Sequence, residues 1–345
     1  MSERSHPRIT PWQIDESDFY ELESFDEQMH FLLRYAVLAP SNRNTQPWEF
    51  RITKDGVDVF ADYSRRLPTL DPDDRELVMS VGAAITNFRV AAAHFGFETS
   101  VRYERSRGER IPVAVISIRE TSAPDPTLGA LFGAITKRHT NRTLFDGEPL
   151  ESRAVSQICD VVERFPETFL LMLARDKSRT GQMVEEAERI QMARPAFRAE
   201  IADLIGNDDE RSDGLSPDAL GVPKFLSAEA SWIVRQFDIG AAQGRRDQRL
   251  ARSASALILV TAQDDRASLV RAGEALEILL LTIAGAGLQS SFLNQPIQVK
   301  EMRDRVGRMA GGTNPPQLLL RIGHARAVRG ATPRRSAETV TERSR

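Results

Sequence analysis

Two short segments carry more hydrogen-bonding side chains than a turn requires. After an apolar run, Ala39-Pro40 is followed by Ser41, Asn42, Arg43, Asn44, Thr45 and Gln46 before Pro47-Trp48. A loop needs two or three turn residues, and this one presents a row of donors and acceptors. The second segment, "TKRHTNRTLFD" at 136–146, sets Lys137, Arg138, His139 and Arg142 around Thr140 and Asn141. Arginine offers a planar fork of donors that matches phosphate oxygens, and histidine and threonine add further donors. On residue types alone, the segment is either a solvated basic turn or an anion site.

Other chemistries lack their signatures. "GAGLQSS" at 285–291 approaches the dinucleotide fingerprint, but its sixth position is Ser290 and its glycines close a helix instead of following a strand. Neither a GxSxG elbow nor a Walker A loop occurs. No His/Cys/Asp group has metal-ligand spacing, so no metal is expected. Trp12, Trp48 and Trp232 form no spaced stacking platform. His94 lies in an alanine-rich helix and reads as a packed or surface residue.

The elements that must position the two segments follow from periodicity. Residues 26–39 read as an amphipathic helix through Phe31, Leu32, Tyr35, Ala36 and Leu38. "WEFRITKDGVDVFA" reads as a hairpin turning at Asp55-Gly56. A long helix runs from Asp71-Pro72 to Gly96, and "IPVAVISI" is a buried strand. The pattern then restarts, with helices at 151–164, 177–192 and 265–286 and strands at "TFLLMLA", "ASALILVTA" and "PQLLLRIG". The two long helices align at a constant offset, since 273 − 82 and 287 − 96 both give 191 for paired glycines, which points to an internal duplication. Residues 193–252 are polar, have no counterpart in the first half and read as a lid-like insertion.

The chain of 345 residues is 41% hydrophobic, enough for one large core or two lobes. A net charge of −3 provides no general field for nucleic acid or an anionic membrane, so neither is an expected partner. The one cysteine, Cys159, excludes an intrachain disulfide. The N-terminal segment has no apolar run, and the most apolar stretch, "ALEILLLTIAGAGL", contains Glu277 and is short for a bilayer. These features predict a soluble cytoplasmic protein. Its expected divisions are an arm at 1–24, a first lobe at 25–125, a second lobe at 126–330 and a mobile tail at 331–345.

Taken together, "APSNRNTQPW", "KRHTNR", "RRLPTLDPDDRE" and the Gly-Leu-Gln-Ser-Ser helix end resemble the FMN-dependent nitroreductase family, and within it the two-lobed Acg-like group. The resemblance covers about residues 25–330. It implies an α+β nitroreductase-like fold, with two related lobes whose antiparallel or mixed sheets are packed by helices as in a fused dimer. It implies that Arg138, His139 and Thr140 face the FMN phosphate with Arg142 nearby, and that Arg321 returns to it. Pro40, Ser41 and Asn44 would reach the ribityl chain and ring, and backbone near Phe292, Leu293 and Asn294 would lie beside flavin N5 and O4. No side chain is expected to carry the hydride, which is the work of N5. The implied activity is reduction of a small-molecule acceptor, a nitroaromatic, quinone or related electrophile, by NAD(P)H bound transiently. The alternative is a storage protein with a covered FMN and little turnover.

If the lobes are copies, one of two conceivable sites has decayed. "RFPET" stands where a second polar loop would be, "QIDESDFYELES" replaces the basic segment, and Ser117 takes the place of Arg321. Carboxylates there would repel a phosphate. The sequence therefore predicts one FMN per chain, in a monomer that resembles a dimer.

Overall fold

The computed structural model describes residues 11–104, 108, 110–172, 176–206, 211–217, 229–326 and 331–342. Helix α1 (Phe25–Ala36) begins at a capping box in which Ser24 and Glu27 satisfy each other's backbone N–H, and it buries Phe31, Leu32 and Leu33. Strands β1 (Trp48–Thr53) and β2 (Gly56–Ala61) form the hairpin, with Trp48, Phe50 and Ile52 pointing inward. Gly56 is needed for close approach, because a Cβ there would lie 1.8 Å from the Ile116 carbonyl oxygen. Helix α2 (Arg75–His94) follows, then β3 (Phe97–Tyr103) and β4 (Ala114–Glu120).

A short α3 (Pro126–Gly129) leads to the second half, which repeats the plan as α4 (Ser152–Arg164), β5 (Phe169–Met172), β6, α9, β7 and β8. Between β5 and β6 lie α5 (Lys177–Ala193), α6 (Pro195–Leu204), α7 (Ala230–Gln236) and α8 (Gly240–Arg252). Strand β6 (Ala256–Thr261), helix α9 (Arg266–Gly285) and β7 (Gln289–Phe292) follow, then α10 (Gln295–Gln298), α11 (Lys300–Ala310) and β8 (Pro316–Gly323). The sheets run β3-β4-β2-β1 and β7-β8-β6-β5, the same order of equivalent strands, all antiparallel. The fold is α+β, with two related lobes whose sheets are packed by helices.

Helices α2 and α9 cross at the paired glycines. A Cβ on Gly82 would lie 2.1 Å from the Val270 carbonyl oxygen, and one on Gly273 would lie 2.1 Å from that of Met79. Register carries the symmetry further: Ser100 pairs with Ser117 and Ser291 with Arg321, and 291 − 100 is again 191. Ser117 thus stands where Arg321 stands in the other lobe.

Three features differ from the sequence reading. Strands β3 and β7 directly follow the long helices, where their short polar alternation was not read as strand. The extra material in the second lobe begins before α5, since β1 and β2 are joined by Lys54-Asp55 alone whereas β5 and β6 are joined by residues 173–255. Helix α8 packs on α5, and with α10 and α11 they cover the outer face of the second sheet. This explains why "PQLLLRIG" is buried along its whole length while "AVISIRE" in β4 has one exposed face.

The third difference is the C-terminal segment, expected to be a mobile tail. Residues 331–342 instead return to the first lobe, where α12 (Ala337–Val340) packs on α1 and β9 (Thr341–Glu342) pairs parallel with β1. Its few apolar residues, Ala337 and Val340, are buried, and its arginines find backbone acceptors, so polar composition concealed a specific docking.

Candidate functional site

The polar loop is held in an unusual backbone conformation. Arg43, Asn44 and Gln46 all have positive φ (50°, 58° and 51°), which costs a non-glycine residue of order ~1 kcal/mol or more. Surrounding hydrogen bonds offset that cost. Ser80 Oγ accepts from Asn42 N at 3.2 Å, and Ser41 Oγ accepts from Gln46 N at 2.9 Å. The Gln46 side chain donates to the Ser212 carbonyl at 2.6 Å and accepts from Arg335 N at 2.7 Å. Asn44 donates to the Pro333 carbonyl and accepts from Arg334 Nη1 at 2.8 Å. Insertion and C-terminal segment therefore clamp the loop from two sides. Removing residues 331–345 is expected to expose Arg43 to trypsin at a rate undetectable in the full chain, as limited proteolysis with mass analysis would read.

The basic segment is fixed against the second sheet. Thr140 bridges to Ser290, Asn141 N donates to the Ser290 carbonyl at 2.9 Å, and Arg321 Nη2 donates to the carbonyls of Asn141 and Thr143 at 2.8 Å each. Arg321 is fully buried against the Phe145 ring and holds the segment from behind through Nη2, where a phosphate contact was expected, while its Nε and Nη1 have no hydrogen-bond partner.

Loop and segment meet across a cleft that is partly open to solvent. The first lobe contributes Pro40, Ser41 and Arg43 from the loop and Glu76, Met79, Ser80 and Ala83 from α2. The second contributes Thr140, Arg142, Leu276, Phe292, Asn294, Gln295, Gln298 and Leu318. A smaller recess continues from it past Pro40, Ser41, Thr140 and Arg142 to Asn44, Arg138, His139, Leu215, Thr332 and Arg334. Of the expected residues, only Arg321 and Leu293 line neither space. Leu293 packs its side chain into the second sheet's outer core, and its N–H is bonded to the Leu319 carbonyl at 2.8 Å.

The recess is cationic with one buried counter-charge. Arg138 is 2% exposed, donates to the Leu38 carbonyl at 3.2 Å and places Nε 3.4 Å from Glu277. Arg334 also reaches Leu38, and burial, reinforced by repulsion from Arg138, pushes its pKa down to about 9. Burial pushes Glu277 up to about 8 against the pull of both arginines. His139 is driven down to about 4, first by burial and then by Arg138 and Arg334, so at neutral pH it offers a hydrogen bond without charge. Trp12 covers it edge-on at 4.9 Å and lies 5.0 Å from the Arg334 guanidinium.

Several buried donors here have no hydrogen-bond partner within the protein: Nε of Arg334 and Arg43 and Nδ2 of Asn42, while Nε of Arg138 has only the Glu277 carboxyl at 3.4 Å. Such groups are costly unless something binds them. A guest with an anionic end for the recess and carbonyl oxygens for the cleft fits this donor set, as FMN would. Sequence reasoning missed Arg334, Trp12, Arg43 and Glu76. The Arg334-Arg335 pair after Pro333 was the signal for the first; Glu76 had none beyond a carboxylate in an otherwise apolar helix.

The equivalent place in the other half is filled. At the offset of 191, Ser80, Ala83 and Asn294 correspond to Arg271, Glu274 and Tyr103. Glu274 accepts from Arg89 at 3.0 Å and from the Tyr103 hydroxyl, and Arg271 lies 4.7 Å over the Tyr103 ring. Three small or neutral lining positions have become a packed ionic plug.

Among the described residues no helix is long and apolar enough to cross a membrane, and no group of three or more His, Cys, Asp or Glu could hold a metal. No family model matches the chain. A Mycobacterium tuberculosis protein named "Putative NAD(P)H nitroreductase acg" is 30% identical over 317 residues, which span 89% of this chain and 93% of the relative. A second from that organism, "Putative NAD(P)H nitroreductase Rv3131", is 28% identical over 330 residues, spanning 92% and 91%. A solved structure from Anabaena variabilis, titled a putative nitroreductase, overlays with a TM-score of 0.47 at 12% identity over 93% of each chain.

Proposed function

The chain belongs to the nitroreductase family, in its Acg-like group, and on that premise we propose an FMN-dependent oxidoreductase that uses NAD(P)H to reduce nitroaromatics, quinones or related electrophiles. One observation carries this reading: the loop of one lobe and the basic segment of the other converge on a single cleft whose buried donors lack partners. The plug of Arg271, Glu274 and Tyr103 supports one FMN per chain, and both walls of the cleft coming from one chain supports a monomer in the role of a dimer.

Arg138, Arg142 and Arg334, with neutral His139 and the Thr140 hydroxyl, would hold the phosphate. Pro40 and Ser41 line both recess and cleft, and Asn44 lines the recess, in reach of the ribityl chain. Met79, Ala83, Leu276, Phe292 and Leu318 supply apolar walls that exclude water from the ring. When bound, FMN supplies N5 as the carrier of hydride from nicotinamide to acceptor.

The test is a flavin count on the purified protein. About one FMN per chain is expected, and Arg142→Ala should weaken binding roughly 10- to 100-fold, the loss of charge-assisted bonds of ~1.5–3 kcal/mol. A colourless protein that refuses added FMN would refute the proposal. Rapid bleaching by NADPH, seen by stopped flow, separates a reductase from a storage protein.

A further inference from the structure

Glu76 is the only carboxyl among the residues lining the cleft. It lies in the first turn of α2 and is 4% exposed. Its Oε1 accepts from Gln298 Nε2 at 2.6 Å, and its Oε2 accepts from Asn294 Nδ2 at 3.2 Å. In this arrangement both amides present N–H groups to Glu76. Asn294 Oδ1 takes the Leu319 N–H at 3.0 Å, and Gln298 Oε1 takes Gln191 Nε2 at 3.0 Å. A neutral Glu76 would therefore carry an acid hydrogen for which these neighbours provide no acceptor, and the remaining direction is the cleft.

We propose that Glu76 is a catalytic acid, delivering the proton that must accompany hydride when a quinone is reduced in the cleft. The inference rests on the flavin-reductase reading above. A quinone that accepts at one carbonyl oxygen the hydride which FMN would supply when bound is left with the electron pair on the other oxygen as a phenolate. The O–H bond of Glu76 breaks, its proton forms the second phenol O–H, and the bonding pair stays on the carboxylate. Solvent entering the open side of the cleft returns the proton. In a site of low dielectric the phenolate is costly, so a placed acid lowers the barrier.

The charged groups facing Glu76 pull in both directions. Arg75 and the α2 N-terminus on its own helix, and Arg43 from the polar loop, favour the carboxylate, as do the amides of Asn294 and Gln298. Burial favours the acid and is the largest influence, so the net shift is upward. Asp71, with its oxygens bonded to the N–H groups of Arg75 and Leu77, is itself pushed up to about 7 by burial and then by Glu76. One further charge on this pair is therefore resisted, which favours the protonated form of Glu76.

Glu76→Gln in the full-length, flavin-loaded chain tests this by two readouts. The infrared difference between parent and variant should contain a protonated-carboxyl band that titrates away as pH rises, whether or not flavin is bound. Quinone-driven reoxidation of the reduced protein should fall by about 10²-fold or more in the variant and lose its dependence on pH. A variant that reoxidises like the parent, or a difference spectrum showing only carboxylate down to acid pH, overturns the role of Glu76 and leaves the proposed function standing. A parent that binds flavin but passes no electrons to quinones overturns both.

Discussion

Glu277→Gln is expected to unfold at nearly the same urea concentration as the parent at about pH 5 and to be more stable, by a few kcal/mol, at about pH 8.5. Glu277 is completely buried, and neither carboxyl oxygen has a hydrogen-bond partner; its closest cation is Arg138 Nε at 3.4 Å. Burial outweighs the attraction of Arg138 and Arg334 and pushes the group up to about 8. An acid whose folded pKa exceeds its unfolded value, about 4.3, takes up a proton on folding. Its contribution is fully present below the unfolded value, is lost as pH rises, and is gone above the folded value. Each unit of difference is worth ~1.4 kcal/mol, so the slope is measurable even if the shift is half as large. Glutamine keeps the shape and cannot titrate. Asp71 and Glu188, each also pushed up to about 7 chiefly by burial, slope the same way in both proteins. His139, pushed down to about 4, acts oppositely at acid pH in both. The difference between the two curves therefore reports Glu277 together with Arg138 and Arg334, whose charges it faces, and parallel curves would show that it is ionised in the folded protein throughout.

The pH behaviour of this recess was not readable from the sequence, although its parts were. Ser41, Arg138, Thr140 and Arg142 announce themselves by type and spacing, because anion recognition needs a dense local set of donors. The duplication itself was legible for a similar reason, although β3 and β7 were not: Gly82 and Gly273 mark positions where backbones touch, and such positions tolerate nothing else. The remainder depends on long-range contacts. Glu277 reads as one polar residue in an apolar helix until Arg138 and Arg334 arrive from chain positions far to either side of it. Arg334 belongs to a segment with no apolar periodicity, whose docking rests on bonds to Asn44 and Leu38 that no local pattern encodes. Arg321 shows the converse. Its position at a strand end suggested a ligand contact, and the structure instead uses it to hold the Asn141 and Thr143 carbonyls.

The crossing of α2 and α9 yields the other large effect: Gly273→Ala is expected to destabilise the protein by about 2–3 kcal/mol or more and to lower its flavin content. An added Cβ would lie 2.1 Å from the Met79 carbonyl oxygen and 2.8 Å from its carbon. Both are backbone atoms, so no rotamer change relieves the overlap and the two central helices must separate. Alanine's better helix propensity, worth up to ~1 kcal/mol, works against this loss and is too small to cancel it. The displaced segment also carries function: Met79 and Ser80 line the cleft, and Ser80 Oγ accepts the Asn42 N–H that helps hold the polar loop in its left-handed conformation. Separation of the helices should therefore loosen the loop as well as the core. Gly285→Ala, at the end of the same α9, supplies the control, since its nearest neighbour would be the Ala134 Cβ at 3.9 Å. That variant gains propensity without overlap and should match or slightly exceed the parent. Urea midpoints and bound-flavin absorbance measured on both variants decide the matter. If Gly273→Ala behaves like Gly285→Ala, the helices are not in backbone contact at the crossing, and the fused-dimer packing described above is wrong at its centre.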